Sequence, residues 1–300
     1  MATLRPIEGK FKGPEFHWVG DGFRVQNYFP GGVNLGQRFS PFIMMDYGAP
    51  HVFEPSPQPR GVDAHPHRGF ETVSIAYDGF VEHHDNFGNH GIIGPGDVQW
   101  MTAGSGLLHK EYHEREFSRR GGRFHFIQLW VNLPKAHKMH PPRYQELPKA
   151  NMGYADLPNN GGRVRVISGT YQGAEAQSGV QAVGPAKTFT PVHLFDLTMN
   201  EGGVAQFSLN AGDNTGVMVL QGRAKVQGEV SDEGSFILFA HEPGTIEVEA
   251  LTPDTLVICL SGEPINEPMV ARGPFVMNST EELIQAYQDF HDGKMGPMRF

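Results

Sequence analysis

Cysteine is almost absent from this chain: Cys259 is the only one in 300 residues. No intrachain disulfide can form, which suits a reducing compartment. Cys259 stands within Leu256-Val257-Ile258-Cys259-Leu260 and reads as a small buried hydrophobe, not a reactive thiol. Long hydrophobic runs are missing too. No stretch approaches the ~18 apolar residues of a membrane span, and no apolar signal core is visible near Met1. The expectation is a soluble, cytoplasmic protein with no membrane contact. Positive charge is in short supply, with 24 Lys and Arg against 33 Asp and Glu, a net charge of −9. With no dense basic run, direct nucleic-acid binding is not expected.

Helix signals are scarce as well. One segment near the C-terminus carries them. Ser279 can cap, Glu282 can complete a capping box, Leu283, Ile284, Tyr287 and Phe290 form an apolar stripe, and Gly293 stops the helix. The stripe is expected to dock on the protein itself and to help fasten the second half of the chain.

What the chain does have is glycine and proline, 38 and 23 residues, spaced between short apolar runs. This is the pattern of an all-β sandwich or barrel. The runs fall into two blocks. One includes 72–77, 91–93, 98–101 and 124–133. The other includes 164–167, 193–199, 216–220, 236–239 and 255–260. A segment rich in Pro, Lys, Asn and Gly, residues 134–162, is the expected connector. The blocks also resemble each other: Asp78-Gly79 matches Gln221-Gly222, and the turn at Gly96 matches the one at Gly234. An internal duplication follows, with domains at 1–150 and 151–300.

Chemistry concentrates in the first block. His65-Pro66-His67 is followed, forty-two residues after His67, by His109-Lys110-Glu111. Side chains at i and i+2 of a strand share a face. Two such strands on one barrel wall would therefore bring three imidazoles and a carboxylate together, a donor set for Fe, Mn, Ni, Cu or Zn. Glu71 shares the parity of His67, but Gly69 could bulge the strand between them; Glu71 is expected to play a supporting role. His83 and His84 read as a surface loop, and His113 reads as solvated beside Glu114-Arg115-Glu116. His125 is a lesser candidate for holding a ligand's second nitrogen. Trp100 and Trp130 are expected in the core. His193 and His241 stand alone, so the second domain is expected to lack a metal site.

The segment from Gly61 through His65, His67 and Glu71 to Gly79 resembles the first motif of the cupin superfamily, and Gly96 to His109 resembles the second. Cupins usually place a Pro-x-Gly turn before the second-motif histidine, where this chain has Thr102-Ala103-Gly104. The longer strings His65-Pro-His-Arg-Gly-Phe-Glu-Thr-Val73, Pro95-Gly-Asp-Val-Gln-Trp-Met-Thr-Ala-Gly104, Leu108-His-Lys-Glu111, Gln128-Leu-Trp-Val-Asn-Leu133 and Gly273-Pro-Phe-Val-Met-Asn278 resemble the pirin family. That resemblance implies a bicupin, two cupin-type (jelly-roll-like) barrels with a short C-terminal helix. It also implies one divalent metal per chain, in the N-terminal barrel only, held by His65, His67, His109 and Glu111. Fe(II) comes first, with Cu, Mn, Ni, Co or Zn as alternatives.

The family's implied activity is that of a quercetin 2,3-dioxygenase, with a flavonol-like molecule and O2 as partners and CO released. Glu111 would take the flavonol's hydroxyl proton. The competing expectation is a redox-sensing regulator, whose metal reports on a protein partner such as a transcription factor or an enzyme.

Overall fold

The computed structural model describes residues 3–297. Strands dominate, and the chain divides into two compact units. One holds residues 14–37, 42–149 and the chain from Ile265 on; the other holds the chain up to Gly13, residues 38–41 and 150–264. Each unit is a cupin barrel made of a seven-stranded and a four-stranded sheet. Among the described residues, no helix is long and apolar enough to cross a membrane.

The two barrels repeat one strand order. In the first, the large sheet runs Arg143–Leu147, Val98–Thr102, Phe70–Asp78, Gly122–Asn132, Phe42–Phe53, Phe23–Phe29, His17–Val19. In the second, the matching order is Ile7–Lys12, Ser235–Phe239, Asn214–Gln221, Thr255–Gly262, Val192–Met199, Gly162–Ser168, Gly153–Leu157. The anticipated turn pairs match as well: Gly79 and Gly222 have φ of 81° and 77°, Gly96 and Gly234 of 92° and 76°. Each of these turns needs a left-handed residue, which glycine supplies at no steric cost.

One position departs from strict repetition. The edge place taken in the first barrel by Arg143–Leu147 is taken in the second by Ile7–Lys12, from the start of the chain. The units therefore do not follow one cut of the sequence. The stretch 134–162 is likewise more than a connector, since Arg143–Leu147 pairs with Val98–Thr102 and Gly153–Leu157 pairs with Gly162–Ser168.

Central strands are buried on both faces, as Phe70–Ala76 and Asn214–Leu220 are, and the edge strand Ile7–Lys12 alternates. That is why the central strands read as continuous apolar runs. The core of the second barrel is built from such residues as Phe195, Phe207, Val217, Ile237, Phe239 and Val257, with Cys259 fully buried among them. Burial pushes the Cys259 thiol well above its ordinary pKa, so it is inert, as expected of a core residue.

The C-terminal helix spans Thr280–His291, and Ser279 caps it by accepting from the Glu282 N–H. The Glu282 carboxylate accepts in return from the Asn278 N–H, one residue before the cap. Leu283 and Ala286 are buried, and Tyr287 and Phe290 lie against Phe275. Ile284 is 52% exposed and stands outside the stripe.

The helix packs on the first unit, against Leu108, Met277 and Met295, and this corrects the expectation that it fastens the second. An amphipathic stripe states that a face is buried but not against what. Here the strand pair Val270–Arg272 and Phe275–Met277 carries the chain back, with a parallel bridge from Phe275 to Arg68. Arg68 then donates to Asp289 of the helix at 2.9 Å and to the Ser105 carbonyl at 2.7 Å. Gly69 makes this approach possible. A Cβ there would come within 1.9 Å of the Val276 carbonyl oxygen.

Candidate metal centre

Strands Gly61–His67 and Leu107–His113 pair antiparallel, with His65 directly opposite His109. The register shifts between His109 and Glu111, so Glu111 faces Val62. His65, His67 and His109 converge, with ring centroids 4.3–4.8 Å apart and donor atoms within 4.8 Å of one another. Glu111 belongs to a second group of the same compactness, with His109 and His83. It also lines one small cavity together with His65. His109 is thus the shared member of two overlapping triads.

The ring nitrogens show what such a cluster lacks. His65 Nδ1 donates to the Asp63 carbonyl at 2.8 Å, which leaves Nε2 for a ligand. Buried His67 Nδ1 and His109 Nε2 have no hydrogen-bond partner. Buried polar atoms are rarely left so, and three imidazole nitrogens facing one space fit a divalent ion. Burial first, then the neighbouring His65, holds His67 well below the ordinary imidazole pKa; His109 is lowered by burial and by His65, His67 and His83. Both rings are neutral, the form in which imidazole ligates.

His83 is the principal residue that sequence reasoning misplaced. It is fully buried on strand Val81–Asp85, not in a surface loop. Its Nδ1 lies 3.4 Å from His109 Nδ1 and 3.0 Å from Gln99 Nε2, and its Nε2 lies 3.6 Å from Asp85. Gln99 Nε2 donates to His83 Nδ1, which makes that nitrogen an acceptor, so His109 donates to it from Nδ1 and keeps its lone pair on Nε2; His83 Nε2 has no hydrogen-bond partner. Such outer hydrogen bonds orient a ligand and raise its basicity. This is the role considered above for His125. That ring instead packs against Tyr47 and Tyr77.

Glu111 accepts from Gln128 Nε2 at 2.9 Å and from Ser74 Oγ at 3.2 Å. Gln128 is on Gly122–Asn132, one residue off the parity of Leu129, and its polar side chain in a core strand was the available signal. Asp46 shares the cavity, accepting from Asn27 at 2.7 Å, and burial raises its pKa. Glu71 does not join them. The chain changes sheets at Gly69, and the Glu71 carboxylate accepts from Thr102 at 2.6 Å and pairs with Arg143.

His113 is also buried, which corrects the solvated reading. Glu114 turns the chain by capping the short helix Arg115–Arg120, and Phe117 of that helix enters the core. The His113 ring sits among Phe23, Phe53, Phe117 and Phe124, with Nε2 donating to the Gly22 carbonyl. Burial lowers its pKa to about 4. Neutral in the fold and protonated near 6.5 when unfolded, it makes the unfolded state the greater proton binder between those values. Stability is therefore complete above about pH 6.5 and falls as pH drops toward about 4, by roughly 3 kcal/mol from this group. Urea unfolding at pH 7 and pH 5 should show the loss, and His113→Leu should flatten it. An equally steep loss in that variant would assign it to other groups.

The cavity bounded by His65, Glu111, Gln128, Val19, Val62 and Phe126 holds about 40 Å³. A larger one, about 500 Å³, lies behind Trp130, whose ring is 5.2 Å from His67. Trp130 is thus a wall between the histidines and that cavity, while Trp100 is core. In the second unit His193 is tied to the Thr170 backbone, and His241 to Asn214.

The pirin family model matches residues 22–131, which include every residue of both triads, and the pirin C-terminal cupin domain matches 194–296. A Pseudomonas aeruginosa protein provisionally named a quercetin 2,3-dioxygenase is 45% identical over 97% of this chain and 98% of its own. A pirin-like protein of Caulobacter vibrioides is 36% identical over 97% and 99%. The crystal structure of a quercetin 2,3-dioxygenase from Acinetobacter baumannii superposes with a TM-score of 0.89 at 40% identity, covering 99% of this chain and 100% of that one. With both of its barrels and the histidine cluster of the first accounted for, the chain belongs to the pirin family.

Proposed function

We propose that this chain is a metal-dependent dioxygenase that opens quercetin-like flavonols with O2 and releases CO. His65, His67, His109 and Glu111 would hold one divalent ion, Fe(II) in first place. The observation that carries this reading is the set of unpartnered, neutral ring nitrogens facing one space beside a buried carboxylate. Names carried by the relatives point to the same substrate class. Imidazole and carboxylate donors accept several first-row ions, so availability decides among them.

A bound ion would supply Lewis acidity toward the flavonol's 3-oxygen and redox access to O2. The protein's own groups do the rest. Glu111, beside the ion, takes the 3-hydroxyl proton. Gln128 and Ser74 hold that carboxylate in place by donating to it. His83, whose Nδ1 accepts from Gln99, keeps His109 in its ligating tautomer by accepting from His109 Nδ1. The walls formed by Phe126, Val19 and Val62 exclude bulk water, which strengthens every electrostatic interaction inside.

Size places a condition on the substrate. A cavity of about 40 Å³ accepts water or O2, whereas drug-sized ligands occupy roughly 300–1,000 Å³. A flavonol reaches the ion only when the wall of Val19 and Val62 moves aside. Val62→Ala should therefore lower KM for quercetin several-fold and leave kcat within about twofold. The assay is loss of flavonol absorbance with stoichiometric CO from metal-loaded protein. A rate no better than that of the free ion would remove the dioxygenase reading.

The same small cavity favours one second reading, a redox-sensing regulator whose ion responds to O2 or another small oxidant and whose output is a protein partner. Turnover of flavonol separates the two.

A further inference from the structure

The strand that carries His83 holds a second set of donors on its opposite face. Along Val81–Asp85 the odd positions turn inward, and Glu82 and His84 turn outward. The next strand, His90–Ile93, places His90 directly across from His84. Both rings aim at one oxygen: Glu82 Oε1 lies 2.9 Å from His84 Nε2 and 3.1 Å from His90 Nε2. The ring centroids are 4.3 Å apart, and the three donor atoms lie within 4.8 Å of one another.

This spacing is close to that of a coordination sphere. Ligands about 2.0–2.2 Å from a tetrahedral zinc ion stand about 3.3–3.6 Å from each other. A slight opening of the three side chains would admit an ion, and the side chains are 23%, 29% and 51% exposed for Glu82, His84 and His90, so solvent has access. None of the three takes part in the inner centre proposed above.

We propose that Glu82, His84 and His90 form a second, weaker site for a divalent transition ion such as Zn2+, with water completing the sphere. Two imidazoles and a carboxylate are donors that zinc accepts. The site is weaker than the inner one for two reasons. It is open to water, and Lys110 stands across from His84 on the adjacent strand, its ammonium 5.3 Å from the Tyr112 ring, adding a like charge to the same face. An ion here would clip His90–Ile93, the edge strand of the four-stranded sheet, to the strand whose inner face carries His83. Because it binds only the paired strands, it would also raise stability.

The test titrates Zn2+ into the full-length protein and counts bound zinc after removal of free ion, with thermal unfolding alongside. The expected result is one more zinc per chain in the wild type than in His90→Ala or His84→Ala, with a zinc-dependent rise in Tm that those variants lose. His291→Ala, an exposed histidine elsewhere, should behave as wild type. Equal zinc content in wild type and both variants, or a Tm rise that survives both substitutions, would overturn the proposal and leave a hydrogen-bonded His–Glu cluster with no ion.

Discussion

Replacing Glu111 with Gln is expected to reduce the rate of quercetin cleavage by about 10²–10⁴-fold, the usual contribution of a positioned general base. The substitution keeps the side chain's shape and one oxygen donor. It removes the base, and its new amide group cannot accept from both Gln128 Nε2 and Ser74 Oγ, as the carboxylate does. Metal content should fall much less than the rate. Glu116→Gln removes an exposed carboxylate that pairs with Arg119 three residues along the helix, and its rate should match wild type. Parallel losses of metal and rate in Glu111→Gln would make Glu111 a ligand alone and assign the proton to another acceptor, with Asp46 in the same cavity the first to examine.

Removing residues 279–300, which carry the helix Thr280–His291, should cost stability on the order of 5 kcal/mol, much of what an ordinary domain has. Leu108, Phe275 and Met277 would lose their cover. Arg68, buried beside His67, would lose Asp289, and an unpaired buried charge is costly. The helix braces both strands that carry the proposed ligands, through Arg68 next to His67 and Leu108 next to His109. Metal retention should therefore fall as well. Because the truncated chain is expected to fold poorly, Leu283→Ala is the informative variant, with an expected loss of about 2–5 kcal/mol. Chemical denaturation of that variant measures it. An unchanged midpoint would mean that the helix rests on the barrel without supporting it.

The sequence shows where its strands are because alternation and turn glycines mark them locally. Asp78-Gly79 and Gln221-Gly222 reveal the internal repeat for the same reason. His65, His67 and His109 are legible because two-residue spacing fixes a shared face wherever the backbone is extended. His83 is less so. It stands beside His84, and adjacent residues of a strand face opposite ways, so the pair itself does not say which ring is inside. Val81 did carry the signal, since an apolar residue at the parity of His83 and Asp85 marks their face as the buried one.

Partners distant in sequence left no such mark. Nothing in the weakly alternating Ile7–Lys12 says that it completes the second barrel's sheet, and nothing in the helix's stripe names Leu108 as its seat. Glu71 misleads in another way: parity holds only along one strand, and the chain changes sheets at Gly69.

The most direct measurement is O2 uptake by protein loaded anaerobically with Fe(II), of known metal content, with and without quercetin. A metal-dependent flavonol dioxygenase consumes one O2 per quercetin over many turnovers, with CO produced in step, and His67→Ala, which removes a proposed ligand, does neither. Uptake limited to a single oxidation of the bound iron and unaffected by quercetin would contradict the enzymatic account and favour the redox-sensing one.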